Sequence, residues 1–159
     1  MMVCEREDVL MFYPTNHLKT DEIFLKLDKT VEAIPEKGWA EAYHFKICLV
    51  SGNAEVGFCD FRIGNTTGLY FGGNIGYTVY ENYRGNHYAG KACLLLLDLA
   101  KKHNMPYLYI TCNPDNYASR RTCEYAGGIL TSIIDLPEDN DMYLEGERQK
   151  CMYRFNLCE

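Results

Sequence analysis

The sequence has no basic excess, no CxxC pair and no long apolar run, and each absence removes a class of function. Its 16 Lys and Arg are outnumbered by 22 Asp and Glu, and the two signs are interspersed along the chain. A nucleic-acid-binding surface needs a basic stripe, so no nucleic-acid partner is expected. A formal charge of -6 reads first as a solubility device. No apolar stretch approaches the roughly 20 residues that span a bilayer. Residues 1–8 turn charged at once and show no signal-peptide core. No membrane partner is expected, and a cytoplasmic location is. The eight cysteines, at 4, 48, 59, 93, 112, 123, 151 and 158, mostly sit inside apolar runs. They read as core filler in a reducing compartment. The four histidines are scattered and form no ligand set, so no metal is proposed.

What is present is the composition of one well-packed domain, taken here as residues 1–159. Of the residues, 47% are hydrophobic and 13% aromatic, enough for a single core and against disorder. Residues 23–27 form a short candidate strand, and 28–34 read as loop or a helical turn. Pro35 to Gly38 is a turn. Residues 43–50 and 54–63 carry β-branched and aromatic residues on either side of Ser51, Gly52 and Asn53, the pattern of an antiparallel hairpin. A glycine-rich joint, 64–73, leads to a strand over 75–80.

The period then changes. Residues 88–104 fit a helix, with Ala89, Cys93, Leu96 and Ala100 within roughly 40° of one another at about 100° per residue. Pro106 ends it. Residues 107–112 have strong β character, 116–125 form a second helix stopped by Gly127 and Gly128, and 129–136 and 150–157 are strands around an acidic loop, 137–146. The order predicts an α/β fold: a mixed, twisted sheet of six to seven strands with helices on both faces, built on a central β-α-β-α unit.

The most informative stretch is the turn Arg84, Gly85, Asn86, His87, Tyr88, Ala89, Gly90. A strand ends, small residues follow, and an amphipathic helix begins. The first helical N–H groups lack intrahelical partners, and the dipole adds about half a positive charge there. Small residues at 85, 89 and 90 let a phosphate approach, so the turn reads as a pyrophosphate cradle. It is neither a P-loop nor a GxGxxG dinucleotide turn. A plain structural loop is the competing reading.

Residues 76–79, followed by Tyr83 to Ala89, resemble the acyl-CoA signature of the GCN5-related N-acetyltransferase superfamily: Arg or Gln, two residues, Gly, one residue, Gly or Ala. Arg84 and Ala89 match its ends, and His87 stands where the central glycine is usual. A histidine there can still donate its backbone N–H if its φ stays negative. Downstream, Asn116, Ser119 and Gly127 resemble the second signature, in the Asn-x-x-Ser form of the ribosomal-protein N-acetyltransferase branch. Helical geometry independently sets Asn116, Ser119 and Cys123 on one stripe, since seven residues return to within about 20°.

The resemblance implies acetyl-CoA as cosubstrate and a primary amine of a small molecule or peptide as acceptor, with a homodimer as an open assembly. It implies backbone N–H polarisation of the thioester at Thr78, Val79 or Tyr80, pyrophosphate at residues 84–90, and pantetheine at Asn116 and Ser119. The position of the usual acid tyrosine is Cys123, whose thiol is a candidate proton donor beside buried packing, water or a tyrosine such as Tyr143. His44, Asp60 and Glu41 are candidate bases, with a positioned water as the alternative. Tyr70, Phe71, Asp139, Asp141 and Tyr143 are candidates for contacting an acceptor. The missing tyrosine and altered glycine keep a second reading open: a catalytically silent acyl-CoA-binding module.

Overall fold

A computed structural model describes residues 12–158; Cys4 and the charged start at 1–8 lie outside them. There are seven strands and four α-helices, of which the strands and the two longer helices follow in the expected order. The strands are β1 (Ile23–Val31), β2 (Ala42–Leu49), β3 (Glu55–Arg62), β4 (Ile75–Val79), β5 (Tyr107–Cys112), β6 (Ile129–Asp135) and β7 (Gln149–Asn156). The helices are α1 (Thr67–Gly72), α2 (Tyr88–Lys102), α3 (Tyr117–Tyr125) and α4 (Asp141–Leu144).

The strands make two antiparallel sheets, β1-β2-β3-β4 and β5-β7-β6. Alternation along β2 and β3 buries Tyr43, Phe45, Cys59 and Phe61 and turns His44 and Asp60 to the opposite face. The buried face packs against α2 through Cys93, Leu96 and Ala100 of the expected stripe, joined by Ala92 and Leu99. Each such fully buried large aliphatic side chain contributes about 1.5–3 kcal/mol.

Three segments differ from the sequence reading. Strand β1 runs on to Val31 because a bulge between Leu27 and Lys29 keeps its pairing with β2, and polar residues are tolerated there because the strand is at an edge. The glycine-rich joint contains α1, whose first turn is closed by Thr66 accepting from the Leu69 N–H. The acidic loop contains α4, capped by Asn140. Helix α3 ends as anticipated. Gly127 has φ 96°, and the Gly127 and Gly128 N–H groups reach back to the carbonyls of Glu124 and Cys123, a Schellman closure.

The link from β4 through α2 to β5 does not produce a paired parallel ladder. The two strands meet at Asn74, which is 2% exposed. Its backbone N–H donates to the Tyr109 carbonyl, its Oδ1 accepts from the Tyr109 N–H, and its Nδ2 donates to the carbonyls of Arg62 and Gly64. Beyond this clamp β4 belongs to one sheet and β5 to the other. Asn74→Ala leaves the Tyr109 N–H and two carbonyls short of partners, so the expected loss is about 2–4 kcal/mol, read as a lower urea midpoint.

Candidate functional site

The cleft that opens past the clamp is about 580 Å³ and is walled by the end of β4, the start of α2 and one face of α3. It brings together most of the residues singled out from the sequence: Thr78, Val79, Arg84, Gly85, His87, Tyr88, Ala89, Gly90, Asn116 and Ser119 all line it. Tyr80 and Asn86 do not. Tyr80 lies just past β4 and its hydroxyl bonds Glu55, while Asn86 braces the turn by donating to the Tyr83 carbonyl.

Helix α2 begins without a side-chain cap. Its first intrahelical bond runs from the Lys91 N–H to the His87 carbonyl, so the N–H groups of Tyr88, Ala89 and Gly90 precede the ladder and point out of the helix end. Arg84 and Arg121 also line the cleft, and no acidic residue does among the described residues. In a chain of net charge -6, that local excess of positive potential suits a polyanion. Arg84 is held over the turn by its Nε, which donates to the Val79 carbonyl at 3.0 Å.

His87 does not keep a negative φ. It sits at φ 61°, the left-handed conformation that glycine adopts freely and that costs other residues about 1–2 kcal/mol. Its ring stacks on Tyr125, with centroids 4.4 Å apart and planes 10° from parallel; such contacts are worth about 0.5–1.5 kcal/mol and offset much of that strain. The same tyrosine explains Gly90. A Cβ there would lie 2.3 Å from the Tyr125 ring, so the missing side chain makes room for an aromatic neighbour and not for a phosphate.

The register of β4 decides which backbone groups face the gap. Tyr80 N–H donates to Val56 and Arg62 N–H to Asn74. The intervening pairs Phe58 with Thr78 and Asp60 with Gly76 share that phase. Even-numbered residues of β4 therefore spend their N–H groups on β3, and those of Tyr77 and Val79 point away from it. Of the three positions anticipated for carbonyl polarisation, only Val79 has its N–H on the gap side; Thr78 contributes its side chain.

Behind this wall, Tyr77 Oη lies 2.7 Å from Ser119 Oγ and 3.7 Å from Cys123 Sγ. Asn116 caps α3 by accepting the Ser119 N–H. Cys123 is 0% exposed and is absent from the cleft wall. A hydrogen bond with Cys112 and burial push its thiol well above the ordinary range. Burial likewise raises the Tyr77 hydroxyl. Cys123 is thus a firmly protonated group one layer behind the cleft. Tyr143, the other suggested donor, does not line the cleft; its ring lies 3.9 Å under the Arg148 guanidinium.

Sequence reasoning missed Arg121, Thr122 and Tyr125, although the signal was there. Ala118, Arg121, Thr122 and Tyr125 recur at i, i+3, i+4 and i+7, a second stripe on α3 beside the one formed by Asn116, Ser119 and Cys123. Of the candidate bases, His44 and Asp60 are cross-strand partners and line a separate cavity with Arg62, whereas Glu41 lines neither.

A family model described as an acetyltransferase (GNAT) domain matches residues 2–129. The chain belongs to the acetyltransferase (GNAT) family. Acetyl-CoA is accordingly its cosubstrate and acyl transfer its reaction class. No curated protein matches the chain significantly. Solved structures share the fold. An acetyltransferase from Agrobacterium tumefaciens strain C58 is 20% identical, covering 95% of this chain and 99% of its own, with a TM-score of 0.63. The ribosomal-protein-S5-alanine acetyltransferase from Vibrio fischeri is 15% identical, covering 74% and 63%, with a TM-score of 0.59. The microcin C7 self-immunity acetyltransferase, solved with acetyl-CoA and AMP, is 19% identical, covering 72% and 61%, with a TM-score of 0.57. The chain thus spans less than two thirds of the length of the last two.

Two outcomes follow from the electrostatics. Arg84→Glu and Arg121→Glu should each weaken CoA binding about tenfold or more at low salt, with the loss shrinking as salt rises. Calorimetry that returned an unchanged Kd would move the pyrophosphate elsewhere. In the folded protein at pH 8, peptide mapping after alkylation should find exposed Cys158 modified and Cys93 and Cys123 intact, because burial pushes the Cys93 thiol up to about 12 and the hydrogen bond with Cys112 and burial raise that of Cys123.

Proposed function

We propose that this GNAT protein is an N-acetyltransferase that moves an acetyl group directly from acetyl-CoA to the primary amine of a small molecule or peptide. The observation that carries the reading is the cleft at the start of α2: three N–H groups outside the helical ladder, two arginines and no carboxylate on its wall. In this assignment residues 84–90 and Arg121 hold the pyrophosphate. Asn116 and Ser119 flank the pantetheine arm, and the Val79 N–H polarises the thioester carbonyl.

The reaction joins the amine nitrogen to the carbonyl carbon and breaks the carbon–sulfur bond. One proton leaves nitrogen and one ends on sulfur. Cys123 is a poor source of the second proton, since it is buried behind the cleft wall and its hydrogen bond with Cys112 and its burial raise its thiol. We assign to Ser119 Oγ the hydrogen bond that stabilises the departing thiolate, with Tyr77 orienting that hydroxyl and Cys123 acting as a positioning residue behind them; the amine proton leaves to water, and the thiolate takes its proton from water. The seven cysteines among the described residues are free thiols, six of them buried, which supports a reducing, cytoplasmic setting. No helix there is long and apolar enough to cross a membrane.

Release of free thiol from acetyl-CoA, followed across an amine panel, tests the reading. Turnover on at least one amine is expected, and tight CoA binding without turnover on any would sink it. Ser119→Ala should lower kcat about tenfold or more with little change in CoA affinity. Cys123→Ala should change kcat far less. The reverse order of effects would restore Cys123 as the donor.

A further inference from the structure

On the face of the first sheet turned away from α2 there is a second cavity, about 360 Å³, at the lower end of the range for small-ligand sites. Its two sides differ in chemistry. Trp39, Val31 and Leu69 make one side apolar, and His44, Asp60 and Arg62 gather on the floor provided by β2 and β3. Trp39 is 54% exposed and stands at the rim with the Lys37 ammonium 4.8 Å from its ring centroid.

The floor is built rather than accidental. Arg62 Nε donates to Asp60 Oδ2 at 2.8 Å, and its Nη1 donates to the carbonyls of Gly72 and Gly73. The guanidinium is therefore committed to the protein. Asp60 Oδ1 makes no hydrogen bond among the described residues and faces Gly76, where a Cβ would come within 3.1 Å of it. His44 stands beside Asp60 as its cross-strand partner. The floor thus offers one carboxylate oxygen and one imidazole to a donor.

Gly76 also connects this cavity to the cofactor cleft. Successive residues of a strand point to opposite faces. Tyr77 looks into the cleft and bonds α3, while Gly76 faces Asp60 and Arg62. The two sites lie on opposite faces of β4, at the place where no ladder closes β4 against β5.

Resting on the acetyltransferase reading, we propose that this cavity is the acceptor site and that it takes a small primary amine carried on a flat apolar body, an arylalkylamine. The ring lies against Trp39 and the apolar side, and the amino group is held by Asp60 and His44 at the end nearest β4. A cationic amine arriving from solvent is attracted by the acidic chain as a whole and can donate to the free oxygen of Asp60, whose charge is shared with Arg62, while the exposed part of the Trp39 ring supplies area that a hydrophilic amine would leave unused.

Trp39 is the sole tryptophan of the chain, so tryptophan fluorescence reports directly on this cavity. Titration with phenethylamine should change Trp39 emission saturably, and Asp60→Asn should weaken that binding about tenfold while the Kd for CoA stays the same. In thiol-release assays Trp39→Ala should raise the KM for phenethylamine about tenfold with kcat largely kept, and Trp39→Phe should recover most of the loss. Because Trp39 is exposed, its variants fold even where Asp60→Asn does not. Unchanged emission with phenethylamine, alongside acetyl-CoA binding and acetylation of spermidine or a tripeptide, overturns the acceptor proposal and leaves the acetyltransferase reading intact. Phenethylamine binding without acetylation overturns the acceptor role. Failure of acetyl-CoA to bind brings down both readings.

Discussion

Asn74 ties three strands together with one side chain. Its amide donates to two carbonyls on the β3 side and accepts the Tyr109 N–H from β5, in a pocket that leaves it almost no contact with solvent. With the strands held at that point and unpaired beyond it, the inner edge of β4 keeps the Tyr77 and Val79 N–H groups off β3. Buried backbone donors are costly to leave without partners, so an open edge of this kind is maintained where a ligand completes it. The cofactor cleft, the gap-side N–H groups and the cavity behind β4 all follow from this clamp.

Around the opening, positive potential is concentrated by geometry and not by composition. The chain as a whole is acidic, yet the cleft gathers Arg84, Arg121 and the uncapped start of α2. The left-handed His87 is part of the same arrangement. Its strained backbone sets the N–H groups that follow it, and its ring repays part of that strain by stacking on Tyr125. Tyr125 in turn requires the absence of a side chain at Gly90. Three residues that look independent along the chain form one packing unit that fixes the mouth of the cleft.

The division of labour across β4 gives the site its direction. Cys123, Tyr77 and Ser119 stand on the cleft side as a graded series, from a fully buried thiol to a hydroxyl on the wall. Burial makes the thiol a stable hydrogen-bonding partner and removes it from proton traffic. On the other side, Asp60 and His44 share a floor with a committed arginine. The two faces divide at a strand whose residue 76 has no side chain, so that Arg62 and Asp60 pack against its backbone.

Much of this was legible in the residues themselves. Hydrophobic period marked α2, β5 and α3 because those segments obey local rules: a stripe that must be buried, β-branched runs, a capping Asn116, a stop at Gly127. The turn at 84–90 was readable as a helix start, because the physics of a helix start is local. Boundaries failed where local signal is weak, as at the bulged edge strand β1 and the glycine-rich stretch that becomes α1. Only the tertiary structure decided which residue covers His87, which β4 amides face the gap, that Cys123 lies behind Tyr77, and that His44, Asp60 and Trp39 share a cavity. These are contacts between segments far apart in sequence, set by strand register and by the clamp at Asn74, and neither is encoded in any single stretch of the chain.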